Sequence, residues 1–223
     1  MTEEQQVMKA RFSGAAFFDK ASEAEVFVGG VGGIGSFVSF LLSRIVNIIH
    51  IYDDDVFDTT NLAGQLAGKK DIGISKVFVA RDIAANYGTA KIYPYREKVT
   101  EETDVPDKYV FACFDNMAAR KLLFEKWAAN PERELYVEAR LLMSQYEVYA
   151  VQKGQEDRYR ETLFDDSEVE EVACTLKQTS HFSSMCASRM VQMFCNYLSQ
   201  EMFHSLPFHV SEEGDIFHIE IKD

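Results

Sequence analysis

The chain has 223 residues, of which 47% are hydrophobic and 26% are charged, a composition typical of a folded globular protein. Its 36 acidic residues outnumber its 23 lysines and arginines, and the formal net charge of -13 excludes a nucleic-acid backbone as the main partner, because like charges repel. The polar start MTEEQQ is unlike a signal peptide, and no apolar run approaches the roughly 20 residues that cross a bilayer. We therefore expect a cytoplasmic protein with one hydrophobic core and no membrane partner.

The first two thirds of the chain alternate between short apolar runs and helical patterns. In chain order, the predicted elements are a helix over 2–12, a strand over 25–28, a helix to about 44, a strand over 47–53, a helix over 74–88, strands over 91–95 and 109–114, a helix over 116–129, and strands over 135–139 and 146–151. Strands that alternate with helices form parallel sheets covered by helices on both faces. The pattern predicts a Rossmann-like α/β fold with a mostly parallel sheet.

The remainder of the chain has a different character. Residues from about 152 to 175 are rich in charge and lack a clear period, so we expect a mobile surface loop that crosses over to the next element. A long helix is predicted from about Thr179 to His204, and residues 208–223 are typical of a closing antiparallel hairpin. Because no repeat or linker interrupts the pattern, residues 1–223 are predicted to form a single domain.

A glycine-rich turn follows the first predicted strand. Gly30, Gly32 and Gly35 have the spacing G-x-G-x-x-G, and Asp53 ends the second strand eighteen residues later. In such a turn, backbone N–H groups face a phosphate at a helix N-terminus, and the acid binds ribose hydroxyls. The absence of G-x-x-x-x-G-K-[ST] disfavours a P-loop kinase or GTPase. The turn alone leaves open an ATP site, the NAD site of a dehydrogenase, or a tight turn without a ligand.

Further motifs follow the turn in a fixed order. GVGGIGS, DDDVFDTTNLAGQ, GISK and FDNMAAR lie between Val26 and Trp127. This order resembles the ThiF/MoeB family of adenylyltransferases, relatives of ubiquitin-activating enzymes, whose pattern is G-x-G-G-x-G-S, D-x-D-x-V, N-L-x-R-Q, G-x-x-K and D-N-x-x-x-R. The resemblance implies a homodimer that uses ATP and Mg²⁺ to activate the C-terminal carboxylate of a small ubiquitin-like or sulfur-carrier protein. It places the glycine loop and the ATP site within residues 25–130.

The resemblance also implies roles for individual residues. Asp53 is implied to bind the ATP ribose, and Asp115 to help hold Mg²⁺. Lys76 and Asp115 are implied to be catalytic, because positive charge must offset the repulsion between a carboxylate and the α-phosphate. The residues implied to bind the cofactor are Gly30, Gly32, Gly33, Gly35, Ser36, Asp53, Asp55, Asn61, Gln65, Lys76 and Asn116, with Asn61, Gln65 and Lys76 at the triphosphate.

Plainer interpretations of several of these residues remain open. Lys76, near a helix start, is also explained as a solvated surface lysine. Asp115 is also explained as an N-cap, and Arg120, at the end of the last motif, as the partner of an acid on its own helix. Asp54 and Asp55 form either a solvated turn or a cluster that requires a cation or a donor nearby.

The sequence departs from the family pattern in N-L-x-R-Q. Gly64 replaces the arginine, so one cation directed at the phosphates is missing. This substitution supports an alternative, a catalytically weak or inactive subunit that pairs with an active one. Many family members also donate an arginine near the N-terminus to the partner subunit's site, and Arg11 is the candidate, with a surface arginine as the alternative.

The cysteines and histidines give fewer indications. No C-x-x-C pair occurs, so no cysteine-based structural zinc is expected, and Cys113, Cys186 and Cys195 are predicted to lie in the core. Cys174 precedes the last long helix, where related enzymes place a nucleophile that forms a thioester; its acidic neighbours disfavour a thiolate, and a buried thiol is the alternative. His181 and His204 lack partners at metal-ligand spacing and are expected at surface or capping positions.

Overall fold

The computed structural model describes residues 7, 10–12, 14–142, 145–165, 179–199, 206–213 and 218–223. We number its strands and helices in chain order. They are α1 (Phe18–Glu23), β1 (Glu25–Gly29), α2 (Gly33–Leu42), β2 (Ile48–Tyr52), α3 (Lys76–Tyr87), β3 (Lys91–Tyr95), β4 (Tyr109–Ala112), α4 (Met117–Ala129), β5 (Leu135–Leu142), β6 (Gln145–Gln152), α5 (Glu156–Arg160), α6 (Ser180–Leu198), β7 (His209–Glu213) and β8 (His218–Lys222). Short 3-10 turns lie at Ala10–Phe12, Thr60–Ala63 and Lys69–Asp71.

The described strands form one sheet of eight in the order β3-β2-β1-β4-β5-β6-β7-β8. Strands β3, β2, β1, β4 and β5 are mutually parallel, and β5 to β8 pair in antiparallel fashion. Strand β1 lies in the middle of the parallel half, with Val26 opposite both Ile49 and Tyr109. The predicted Rossmann-like α/β fold with antiparallel C-terminal strands is confirmed.

The hydrophobic core lies on both faces of this sheet rather than in one place. One cluster joins the sheet to α2, α3 and α6, and includes Val38, Val77 and Met190. The other joins the opposite face to α4 and α5, and includes Trp127 and Tyr159. The expectation of one core was wrong, because a sheet that is buried on both faces divides the apolar side chains into two layers.

The charged segment after β6 contains a helix that the sequence did not predict. Residues 156–160 form α5, in which Tyr159 is fully buried. Its ring lies 4.4 Å from the ring of Phe124, and its hydroxyl donates to Glu138 at 3.0 Å. One aromatic anchor orders a stretch whose other side chains are polar, so the prediction of a loop was wrong for residues 156–160. Residues 153–155 and 161–165 of the predicted loop contain no helix or strand, and residues 166–175 lie outside the described residues.

The ends of other elements differ from the predictions by a few residues. The last helix ends at Leu198, and residues 200–205, with His204, lie outside the described part of the chain. Most of the predicted helix over 2–12 also lies outside it, and residues 10–12 form a 3-10 turn. None of the helices that the structure describes is both long enough and apolar enough to cross a membrane.

Candidate active site

The glycine turn connects β1 to the N-terminus of α2. Gly30 has φ +85°, a left-handed conformation that glycine adopts without strain. A Cβ atom on Gly35 would lie 1.9 Å from the carbonyl oxygen of Gly30, so the first turn of α2 packs directly on the loop. At Gly32, in contrast, a Cβ atom would meet nothing within 4 Å. The turn therefore presents open space at a helix N-terminus, the arrangement that suits a phosphate.

Asp53 ties the end of β2 to this turn. One carboxylate oxygen accepts a hydrogen bond from the N–H of Val31 at 2.7 Å, and the other accepts one from the N–H of Asp55 at 2.9 Å. Burial raises the pKa of Asp53 above its ordinary value, although both hydrogen bonds act in the opposite direction. The position matches the acid of a nucleotide-binding turn, and the ribose contact stays a prediction.

Lys76 is buried at the first position of α3, with only 8% of its side chain exposed. Its Nζ atom lies 2.7 Å from an oxygen of Asp55, whose side chain is 64% exposed. The backbone N–H of Lys76 also donates to the carbonyl of Asp55. The interpretation of Lys76 as a surface lysine is wrong, because the ammonium group is held inside the site by an acid at its rim. Lys98 lies 3.8 Å from Asp54, so both acids have a cation nearby.

The loop between β2 and α3 lies over the start of α2. Ser36 joins the two parts, because its hydroxyl accepts a hydrogen bond from the N–H of Leu66 at 3.0 Å. Asn61 uses its side-chain oxygen to accept from Asp58, and its amide nitrogen has no hydrogen-bond partner among the described residues. The side-chain oxygen of Gln65 is buried and also lacks a partner among them. Two amide side chains of this loop therefore retain hydrogen-bonding capacity for a ligand.

Gly64 lies in the same loop and is buried. Its N–H donates to the carbonyl of Asn61 at 3.1 Å, closing the 3-10 turn. Glycine at this position supplies no positive charge, so the missing family arginine has no replacement at position 64 itself.

The start of α4 carries the last motif. Asn116, not Asp115, is the N-cap, because its side-chain oxygen accepts from the N–H of Ala119 at 2.9 Å. The capping interpretation of Asp115 is therefore wrong. Its carboxylate is exposed and accepts one hydrogen bond, at 3.3 Å, from the Asn116 amide. A magnesium ion in a nucleotide site uses one or two carboxylates together with phosphate oxygens and waters, and Asp115 fits that role.

Arg120 hydrogen-bonds to the backbone that leads from β4 into α4. Two of its nitrogens donate to the carbonyl of Phe114, at 2.6 and 3.1 Å, and a third lies 3.0 Å from Glu138. The predicted partner on its own helix was wrong, because the acid is on β5. Arg120 therefore fixes the backbone immediately before Asp115 and does not face the turn itself.

Glu138 is the residue of this region that sequence reasoning missed. It is fully buried and contacts Arg120, Arg140 and the hydroxyl of Tyr159. The available signal was an acid within the apolar strand LYVEARLL, since a buried carboxylate requires paired charges or hydrogen bonds. Its partners could not be identified from the sequence, because they lie on three separate elements that only the tertiary structure brings together.

The described cysteines are not suited to nucleophilic chemistry. Cys113 and Cys186 are buried and Cys195 is half-buried, which confirms their prediction as core residues. Burial raises the pKa of all three thiols, that of Cys195 to about 12.

Cys174 and the side chain of Arg11 lie outside the described part of the structure, and the roles predicted for them stay predictions. His181 is exposed, as expected.

The described contacts bring the predicted residues together at one edge of the sheet. Hydrogen bonds connect the glycine turn to Asp53, and Asp55 to Lys76. On the other side, Gly29 packs against Phe114, immediately before Asp115. These residues follow β1, β2 and β4, whose carboxyl ends meet at the point where open α/β sheets bind ligands.

Comparisons with known proteins agree with this geometry. The crystal structure of selenomethionine PaaA superposes with a TM-score of 0.79 at 15% identity, covering 100% of this chain and 74% of PaaA. E. coli MccB with ATP gives a TM-score of 0.74 at 16% identity, covering 100% of this chain and 72% of MccB. E. coli MccB with selenomethionine MccA gives 0.74 at 16% identity, covering 93% and 66%. At such identities, the similarity shows a shared fold.

The sequence matches the ThiF family over residues 4–214, and the chain therefore belongs to this family. This match confirms the resemblance drawn from the ordered motifs. A search of curated proteins gives no significant match.

Proposed function

We propose that this protein is an ATP-dependent adenylyltransferase that activates the C-terminal carboxylate of a small ubiquitin-like or sulfur-carrier protein. The observation that carries the proposal is the buried ammonium group of Lys76, 2.7 Å from Asp55 and beside a glycine turn open at a helix N-terminus. Membership of the ThiF family favours this reaction over the NAD-dependent dehydrogenase. The ATP complex of E. coli MccB, which shares the fold, supports ATP as the nucleotide. We further propose that residues 1–223 act as one adenylation domain.

In the proposed reaction, a carboxylate oxygen attacks the α-phosphorus of ATP. The bond to the bridging oxygen breaks, and pyrophosphate leaves with the bonding electrons. Because two anions approach each other, the site must supply donors and positive charge that are already oriented. The N–H groups at the start of α2 and the ammonium group of Lys76 supply both. Lys76 then exchanges its contact with exposed Asp55 for one with phosphate.

The remaining residues bind and orient the nucleotide. We assign the ribose to Asp53, and phosphate contacts to the side-chain amide nitrogens of Asn61 and Gln65, which are the atoms of these side chains that can donate a hydrogen bond. Asp115 is the residue that would hold Mg²⁺, which neutralises phosphate charge when it is bound. Ser36 keeps the loop against α2, and Asn116 caps α4 so that Asp115 stays at the edge of the site.

A thioester step to Cys174 is a further part of the proposal. The acyl adenylate would transfer its acyl group to the thiolate, and AMP would leave. The three described cysteines have raised pKa values, so they do not compete for this role. Once a substrate protein is known, Cys174→Ser is expected to keep pyrophosphate exchange. The variant should no longer form the thioester between the enzyme and the substrate protein, a bond that added thiols cleave. A thiol-sensitive conjugate that persists in Cys174→Ser would contradict the assignment.

Gly64 favours a second candidate function, a subunit that binds ATP without forming an adenylate. The family arginine at this position would add a cation to a site whose described lysine is already paired with Asp55. Saturable ATP binding without pyrophosphate exchange, in the presence of a substrate protein that related enzymes accept, would favour this candidate.

The first test is calorimetric titration of the full chain with Mg·ATP and, separately, with NAD. Lys76→Ala is expected to weaken ATP binding by about 10- to 100-fold, the worth of one charge-assisted hydrogen bond. Lys91→Ala, which removes an exposed lysine at the start of β3, is the matched control and should bind as the wild type does. Unchanged affinity in Lys76→Ala, or NAD binding without ATP binding, would refute the proposal.

With a known substrate protein, Asp115→Ala should lose pyrophosphate exchange while the fold is retained.

A further inference from the structure

Three residues with metal-binding side chains meet at the end of the parallel strands that is opposite the glycine turn. Glu25 opens β1, Asp107 precedes β4 by two residues, and His50 lies in the middle of β2. Each offers one ligand atom, and these three atoms lie within 4.8 Å of one another. The cluster is separate from the proposed nucleotide site, because the two lie at opposite ends of β1.

Asp107 is the unusual member of this cluster. It is only 6% exposed, and its carboxylate accepts no hydrogen bond from another residue that the structure describes. A second acid, Glu25, and the imidazole of His50 lie beside it. Burial of a carboxylate next to a second acid is unfavourable unless positive charge compensates it, and a cation bound between these residues would supply that charge.

His50 is oriented as metal-binding histidines commonly are. Its Nδ1 atom lies 3.2 Å from the hydroxyl of Tyr95, and its ring stacks on Tyr93 with 5.1 Å between centroids. An Nδ1–H donor to Tyr95 leaves Nε2 as the atom that faces the acids, the arrangement in which a second partner fixes the tautomer of a ligand. Nε2 lies 2.6 Å from a carboxylate oxygen of Glu25, so a cation that binds both atoms would replace this direct contact.

The cluster is accessible from solvent. Glu25 and Asp107 line an open cleft of about 500 Å³, with Lys20, Glu23, Lys108 and Tyr109 among its other walls. Lys108 forms an ion pair with Glu134 at 3.2 Å. The cleft provides an entry path for an ion and room for water molecules that would complete its coordination.

We propose that Glu25, His50 and Asp107 form a binding site for a divalent transition-metal cation, with Zn²⁺ as the best match. The ligands are Nε2 of His50 and one oxygen from each carboxylate, and water from the cleft takes the open position. Two carboxylates and a neutral imidazole together carry two negative charges, which a dication balances. A mixed nitrogen and oxygen set favours zinc or a neighbouring first-row metal over Mg²⁺ and Ca²⁺, which prefer oxygen ligands alone.

The test is titration of the chelator-treated full chain with ZnCl₂ by calorimetry, without ATP. We expect one site that His50→Gln and Asp107→Asn abolish. Tyr95→Phe, which keeps the ring and removes the hydroxyl, should weaken zinc binding by roughly 10- to 100-fold. His181→Gln removes an exposed imidazole on α6, and Asp115→Asn removes a carboxylate at the nucleotide site; both should bind zinc as the wild type does.

CoCl₂ gives a second measurement of the same site. One equivalent should produce visible d–d absorption without the near-ultraviolet band that a thiolate ligand adds, and Asp107→Asn should remove it. Melting curves measured in the presence of chelator establish that each variant is folded. Asp107→Asn is the most conservative of the ligand variants, because it replaces only one oxygen by an amide nitrogen. Zinc affinity that is equal in the wild type, His50→Gln and Asp107→Asn would overturn the proposal, as would a wild type that binds no zinc. Because no nucleotide is present, either result is independent of the proposed adenylyltransferase activity.

Discussion

At the scale of single residues, the glycine turn is defined by a contact between two glycines five positions apart. Gly35 lies in the first turn of α2, where its hydrogen occupies the place of a Cβ atom that would meet the carbonyl oxygen of Gly30 at 1.9 Å. Glycine is otherwise a poor helix residue. Its presence in α2 is explained by this backbone contact.

The substitution Gly35→Ala tests this contact. In an exposed helix, the change would stabilise the protein by up to about 1 kcal/mol, because alanine has the higher helix propensity. Here we expect the free energy of unfolding to fall by about 3 kcal/mol, since a methyl group is forced into backbone. Urea unfolding measures the difference. Gly14→Ala, whose methyl group would meet nothing within 4 Å at an exposed turn, is the control and should remain near wild type. Equal stabilities of the two variants would argue against the contact.

At the scale of elements, Glu138 joins three of them. The strand β5 carries it, Arg120 reaches it from α4, and Tyr159 donates to it from α5. Arg140, on the same strand, lies 3.0 Å from its second oxygen. Because Arg120 also holds the carbonyl of Phe114, this buried network connects the packing of α4 and α5 to the position of the loop that carries Asp115.

Glu138→Gln removes the charge of this network and keeps its shape. One buried and one half-buried guanidinium group then lack their anion, and we expect the free energy of unfolding to fall by about 3–5 kcal/mol. Glu125→Gln is the control, because its ion pair with Arg160 is exposed on both sides and should contribute about 1 kcal/mol or less. Chemical denaturation of the two variants compares them directly. A loss in Glu138→Gln no greater than that in Glu125→Gln would contradict the proposed role of the network.

At the scale of the whole molecule, the sheet separates two sites. The proposed nucleotide site follows the carboxyl ends of β1, β2 and β4, whereas the Glu25 cluster lies towards their amino ends. The proposal of a homodimer, with Arg11 donated to the partner subunit's site, concerns the first of these sites. It implies that a complete nucleotide site contains residues from two copies of the chain.

Complementation between inactive variants tests this arrangement. Arg11→Ala and Lys76→Ala should each lack pyrophosphate exchange with a competent substrate protein. After subunits are mixed in equal amounts and allowed to exchange, half of the dimers contain one intact site, so about a quarter of wild-type activity should return. Sedimentation establishes the oligomeric state of each sample. A monomer, or a mixture as inactive as its components, would refute donation between subunits.

The predictions that succeeded were those that depend on local patterns. Apolar runs located the parallel strands to within a few residues, and G-x-G-x-x-G located the turn between β1 and α2. The segment around Tyr159 was missed, because its polar neighbours have no helical period and one buried ring orders them. The N-cap was assigned one residue early, at Asp115 instead of Asn116, since both residue types favour that position.

The sequence by itself determined the fold class and the family, and its ordered motifs named the residues of the proposed nucleotide site. These follow from side-chain periodicity and from glycines at positions where backbone must lie close to backbone or to a ligand. Only the tertiary structure decided that Lys76 is buried against Asp55, that Arg120 pairs with Glu138, and that Glu25, His50 and Asp107 meet. Such contacts join residues far apart in the chain, and their burial and charge depend on how the helices and loops pack around the sheet, which no local pattern encodes.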